Sequence, residues 1–153
     1  MAVETVAGTE ISISAGTPAT FDETGYAALT FSKIGEVTDG GNHGRTYAEV
    51  KNSPIGTRGV QKYKGSFDEG NKTLQMAIDD DDVGQALLKT ALHSDGDYSF
   101  KVKYQGGAID YFRAKVMKFE KATAGVDSMR TASVELSLST NSAGIGIIEV
   151  AAP

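Results

Sequence analysis

A chain of 153 residues with 40% hydrophobic and 23% charged side chains has the size and composition of one globular domain with its own core. A net charge of −5 and a pI near 5.0 argue against a protein that grips nucleic acid, because phosphates select cationic surfaces. The lack of cysteine excludes disulfides, thiolate metal sites and cysteine nucleophiles, while 18 glycines against three prolines point to turns and bulges rather than disorder.

The first residues, Met1-Ala2-Val3-Glu4-Thr5, have neither a basic region nor an apolar run, so no secretory signal is expected. No segment is long and apolar enough to suggest a membrane span. Ile11 and Ile13 alternate with Ser12 and Ser14, the period-two signature of a half-buried strand. Leu29 and Phe31 open a second strand whose phase slips before Ile34 and Val37, which predicts a bulge near Lys33. From Thr38 to Thr57 the chain is rich in Gly, Asn and Asp, and only Tyr47-Ala48-Glu49-Val50 resembles a strand. A long polar loop is therefore expected over 38–57. Val60 to Phe67 and Leu74 to Ile78 alternate again, separated by the turn Asp68-Glu69-Gly70-Asn71.

Asp79-Asp80-Asp81-Asp82 precedes Val83, Ala86, Leu87, Thr90 and Ala91, which share one face of a helix. The acidic run suits a helix start, and His93 and Gly96 suit its end, so one helix is predicted over about 81–93. A hairpin follows: Tyr98, Phe100 and Val102 on one face, a turn at Gly106-Gly107, then Phe112, Ala114 and Val116. A three-residue loop with a left-handed glycine is expected, with Lys101 opposite Arg113 as a like-charge pair. A second phase slip at Met117 and Phe119 predicts another bulge. Beyond a loop at 122–128, Ala132, Val134, Leu136 and Leu138 give the cleanest alternation in the chain, and Ile145, Ile147, Ile148 and Val150 supply a last strand. The fold class is mainly β: a sandwich or barrel of about seven to nine antiparallel strands with one packed helix, forming a single domain over 1–153.

Catalytic constellations are not evident. His43 lies in a glycine-rich loop and His93 at a helix end. Gly40-Gly41-Asn42-His43-Gly44 lacks the lysine and following helix of a phosphate cradle. Counted from Asp79, Gly84 fits the sixth position of a calcium loop, but Thr90 stands at the twelfth, where glutamate is needed. No metal or cofactor is expected, nor enzymatic activity. Asn71-Lys72-Thr73 matches a glycosylation triplet, a pattern common by chance. Lys101, Lys103, Arg113, Lys115 and Lys118 give the hairpin a basic outer face.

From Gly35 to Ser142 the order of elements resembles the tail tube proteins of long-tailed bacteriophages, a family sharing its fold with the type VI secretion tube protein. The resemblance rests on Gly35-Glu36-Val37-Thr38-Asp39-Gly40-Gly41, on Arg45 to Asn52, and on Gly65 to Met76. The acidic helix start Asp79 to Leu88, the hairpin, and the strand ending Leu136-Ser137-Leu138-Ser139-Thr140 complete it. It implies a structural subunit of the virion tail, assembled in the host cytoplasm as six-fold rings stacked into a tube. The implied partners are copies of itself, the tape-measure protein, and tail-tip and terminator proteins, with DNA as passing cargo and no membrane. In that setting the loop, with Asp39, Asn42, His43, Arg45, Tyr47, Glu49, Lys51 and nearby Arg58, would reach a neighbouring subunit. The basic face of Lys101, Lys103, Arg113 and Lys115 could meet Asp79, Asp80, Asp81 and Asp82, or Asp95 and Asp97, of an adjacent subunit. The acidic total would keep DNA from sticking in the lumen. The alternative is a carbohydrate- or surface-binding β-sandwich, such as a virion decoration protein. That reading lacks the exposed Trp or Tyr platforms expected of it: the chain has no Trp, and Tyr98 and Tyr104 fall on the apolar face.

Overall fold

The computed structural model describes residues 3–153, so Met1 and Ala2, part of the stretch expected to carry no signal, lie outside the described residues. Ten strands and two helices follow one another as β1 (Glu10–Ser14), α1 (Glu23–Ala27), β2 (Ser32–Lys33), β3 (Val37–Asp39), β4 (Thr46–Asn52) and β5 (Gln61–Asp68), then β6 (Asn71–Ala77), α2 (Val83–Leu92), β7 (Tyr98–Lys103), β8 (Ile109–Ala122), β9 (Thr131–Ser139) and β10 (Ile148–Val150). Eight strands form one antiparallel sheet in the order β2-β1-β7-β8-β9-β6-β3, with β10 pairing β8 beyond the end of β9. β4 and β5 pair only with each other.

The connection between β2 and β3 explains why the sheet curls. These strands occupy its opposite edges, yet Lys33 and Val37 are four residues apart, a reach of about 14 Å at most. The edges must therefore approach each other, and the sheet wraps into a half-barrel around α2, which touches β1, β2 and β8. The bulge expected near Lys33 is accordingly absent. The phase slips there because the chain leaves one edge and crosses to the other, turning through Glu36 at φ 59°.

Inside lie Ile11 and Ile13 of β1, Leu74 and Met76 of β6, and Phe100 and Val102 of β7. Phe112, Ala114 and Val116 of β8, the alternate residues Ala132 to Leu138 of β9, and Leu88 and Ala91 of α2 complete the core. Each large aliphatic or aromatic side chain so buried contributes about 1.5–3 kcal/mol. Phe100 and Phe112 face each other across the β7–β8 ladder with rings stacked at 5.4 Å. The second expected bulge is present: the β8–β9 register shifts between Val116 and Lys118, leaving Met117 exposed.

The acidic run caps α2. Asp82 accepts from the Gln85 amide at 2.9 Å and from the Gly35 amide at 3.1 Å, so one carboxylate ties the helix start to the edge crossing. Gln85, almost wholly buried, completes the tie: its Nε2 donates to the carbonyls of Gly35 and Ala77, and its Oε1 accepts from the Asp79 amide. A Cβ on Gly84 would run into the Lys33 carbonyl, so glycine is needed for this close approach.

Three expectations need correction. The residue pattern predicts one helix, and α1 is a second. It is capped by Asp22 and places buried Tyr26 flat on Tyr111 at 5.1 Å, over the outer face of the sheet. The stretch 38–57 is not a loop, because β4 occupies 46–52 and continues through a tip at 53–60 into β5. The β7–β8 hairpin does have a three-residue loop, Gln105-Gly106-Gly107, with Gly107 at φ 101°. That loop closes on Tyr104 and Ala108, which sets Lys101 opposite Tyr111 and Arg113 opposite Ser99. The like-charge pair would have required the three-residue loop to lie one position further on, over 106–108.

Candidate subunit interface

The β4–β5 hairpin is an arm standing off the half-barrel, roughly 25 Å long at about 3.4 Å per residue. Every residue of β4 is exposed. Tyr47, Glu49, Lys51, Lys62 and Lys64 share one face: Glu49 lies 3.7 Å from Lys51 and 3.9 Å from Lys62, and Lys64 sits 4.9 Å over the Tyr47 ring. Val50 and Tyr63 pair on the other face, 51% and 56% exposed, beside Gly65, which adds no side chain. Ile55, Arg58 and Val60 are exposed at the tip. Over 46–68 four cations (Lys51, Arg58, Lys62, Lys64) stand against two anions (Glu49, Asp68), a net +2 on a chain of net −5, so the remainder carries −7.

Not all of the residues expected to reach outward do so. Asp39 is exposed but turned to its own loop, accepting from the Gly41 amide at 2.8 Å; Asn42 is exposed. Arg45 lies at the arm's root, where its Nε donates to Glu69 at 2.7 Å and its guanidinium covers the Phe67 ring at 3.8 Å. The Glu69 hydrogen bond is the main cause holding the Arg45 guanidinium even more firmly protonated than usual. Glu69 itself is buried and also accepts from the Ile147 amide at 2.7 Å, so one carboxylate joins the arm to the chain just before β10.

His43 turns into the mouth of the half-barrel, its ring 5.8 Å from Phe112. Its Nε2 is 2.7 Å from Asp110 Oδ2 and its Nδ1 is 3.0 Å from Lys72 Nζ, while the Tyr104 hydroxyl donates to the same Asp110 oxygen at 2.7 Å. Burial pushes the Asp110 carboxyl up, but the His43 and Tyr104 hydrogen bonds outweigh it and the group stays below its ordinary range. Burial pushes the Lys72 ammonium down to about 8 against the attraction of Asp110 and Asp39. Burial and the Asp110 hydrogen bond raise the Tyr104 hydroxyl. Sequence reasoning missed Lys72, Tyr104, Asp110 and Glu69. A signal existed for the first three, since each occupies the inward phase of its strand or of that strand's extension.

The basic hairpin face is largely engaged within the chain. Arg113 donates to the Gly16 carbonyl, the Ser99 hydroxyl and the Asp97 carbonyl, and Lys115 pairs with Asp97 at 2.6 Å. Lys101 lies 5.3 Å over the Phe31 ring, and Lys103 is exposed. Of the acidic cluster, Asp82 caps α2, Asp79 accepts from the Asp81 amide, and Asp80 pairs with Arg130 at 3.0 Å. Within one subunit Lys101, Lys103, Arg113 and Lys115 do not meet Asp79–Asp82; the expected pairing is one between adjacent subunits. Among the described residues no three acidic or histidine side chains stand close enough to hold a metal ion.

The fold has close counterparts among solved structures, although identities are too low to carry more than the fold. A sheath/tube terminator of the extracellular contractile injection system PVC matches with a TM-score of 0.70 at 9% identity over 99% of each chain. A chain of the anti-feeding prophage baseplate matches with a TM-score of 0.66 at 8% identity, again over 99% of each. The SPP1 tail tube matches with a TM-score of 0.62 at 14% identity, over 95% of this chain and 78% of that one. No curated protein matches by sequence. The family model for the lambda phage tail tube protein matches residues 16–143, most of the chain. The chain therefore belongs to the lambda phage tail tube protein family and is a structural subunit of a phage tail tube.

Proposed function

We propose that this subunit is a single domain that assembles with copies of itself into six-fold rings, stacked as a hollow tube, with the β4–β5 arm reaching an adjacent subunit. The observation that carries this reading is the arm itself. A two-stranded ribbon is marginally stable in water on its own, and this one leaves Val50, Tyr63, Val60 and Ile55 in solvent. Its +2 charge complements the −7 of the rest of the chain, so a second copy offers a surface of the right sign. At the body, the sheet ends in β2 and β3, edges of two and three residues. Edges so short disfavour open-ended aggregation yet leave backbone groups for a neighbour's sheet to join.

The role is structural and not catalytic. The tape-measure protein would occupy the lumen first, tail-tip and terminator proteins would close the ends, and DNA would later pass through. The acidic net charge suits passage, because a surface that repels phosphates lets DNA slide. A double substitution on the arm, Val50→Lys with Tyr63→Lys, tests the reading. It should abolish sedimentable tubes while leaving the circular dichroism spectrum of the subunit unchanged. Normal tube yield from a chain so altered would remove the arm from the interface.

A further inference from the structure

We infer that the root of the arm is a proton-operated latch: a second proton at the His43–Lys72 contact breaks it and frees residues 40–44 from the mouth of the half-barrel. The inference concerns the isolated subunit and does not depend on what the arm meets.

The chemistry follows from which partners can donate. Lys72 points inward from β6 in phase with Leu74 and Met76 and is 3% exposed. Its ammonium has donors only, so His43 Nδ1, 3.0 Å away, must be a bare acceptor. Asp110 is an acceptor, so His43 Nε2, 2.7 Å from it, carries the ring proton. His43 is thus neutral and fixed in one tautomer, with donors running from Lys72 through His43 to Asp110. Between Nδ1 and Nζ there is room for one proton. Imidazole is the side chain that gains its second proton between about pH 8 and 5. That proton would set two N–H donors and two positive charges head to head, in a site where the His43 side chain is 12% exposed.

Charged and titratable groups from several strands surround the ring. Facing the ring are Lys72 on β6, Asp110 on β8 and Tyr104 past the end of β7. Asp39 of β3 acts on Lys72, Glu149 of β10 acts on Tyr104, and Arg45 and Glu69 line the same cavity. Among the residues lining the cavity, the carboxylates of Glu69, Asp110 and Glu149 stand against Arg45, so it is net negative with His43 neutral. Acid therefore delivers a proton to a site whose one vacancy for it is the contact already occupied. Lys72 is fixed on a strand paired to β9 along its whole length, whereas His43 sits in the connection between β3 and β4, so the connection yields. The neighbouring Glu69 clasp on Arg45 and Ile147 contains no histidine and keeps the arm attached.

Backbone 15N relaxation of the monomeric full chain tests the latch, read at Gly41 to Gly44 at pH 7.5 and 5.5. Order parameters there should fall from about 0.85 to below about 0.6 on acidification. His43→Gln keeps both hydrogen bonds, its amide donating to Asp110 and its oxygen accepting from Lys72, and cannot be protonated. This variant should stay rigid at both pH values. A wild-type connection equally rigid at pH 5.5, or a variant that loosens as the wild type does, would overturn the latch. Should the variant fold poorly, the wild-type imidazole 15N shifts decide instead: a proton on Nε2 at pH 7.5 is required, and one on Nδ1 overturns the inference.

Discussion

The half-barrel and the arm are built from the same kind of strand and are stabilised in opposite ways. In the half-barrel, β9 alternates buried Ala132, Val134, Leu136 and Leu138 with polar residues, and every strand finds a partner or the helix. In the arm, β4 has no buried residue, and the ribbon is attached to the body through Arg45 and Glu69. On the proposed assembly, order within a subunit and order between subunits are assigned to different stretches of chain. A mutation in the first should move stability, and one in the second should move assembly.

The largest stability effect should come from the tie that closes the half-barrel. Gln85→Leu leaves the carbonyls of Gly35 and Ala77 and the amide of Asp79 without their side-chain partner in a buried place, at a cost of about 3 kcal/mol. Urea denaturation measures it, and a loss under about 1 kcal/mol would show that water replaces Gln85.

Lys72 comes next and is read through pH. Its folded pKa of about 8 lies below its ordinary 10.5, so between those values the unfolded chain holds a proton the folded one has lost. Stability should therefore rise as pH climbs from 8 to 10.5, by on the order of 2 kcal/mol, and this contribution should be flat below pH 8. Lys72→Met should remove that rise; identical slopes for the two chains would mean that Lys72 is solvated. The smallest stability effect belongs to the arm. Val50→Lys with Tyr63→Lys should change unfolding free energy by less than about 0.5 kcal/mol while abolishing assembly. A large loss of stability would mean that the arm belongs to the subunit's own core.

The contrast also explains what could be read from the sequence. Where one face is buried, pattern and structure agree: the alternation of β9, the Asp82-capped helix α2, and the bulge at Met117 all follow from apolar phase. Where nothing is buried, phase carries little information, and the 38–57 stretch showed its polarity and a strand-like segment at 47–50, but not that 46–52 pairs with β5 as an arm. The short α1 was hidden because five residues cannot display a helical period, and its one anchor, Tyr26, packs on the outer face. The slip near Lys33 looked like a bulge because a crossing between sheet edges and an extra residue shift the phase alike. At the site, Tyr47, Glu49 and Lys51 were legible as part of a polar stretch, read as a loop, whereas the inward turn of His43 was not. It depends on Lys72 and Asp110, charged residues in apolar phase that meet only once the barrel curls.

The central claim is self-assembly into a tube, and negative-stain electron microscopy of the concentrated purified chain addresses it most directly. Hollow tubes or rings of uniform diameter, with six-fold symmetry in end views, are the outcome that the proposed assembly predicts. A chain that stays monomeric at every concentration, and remains so when given a tail-tip complex to nucleate it, would contradict the account.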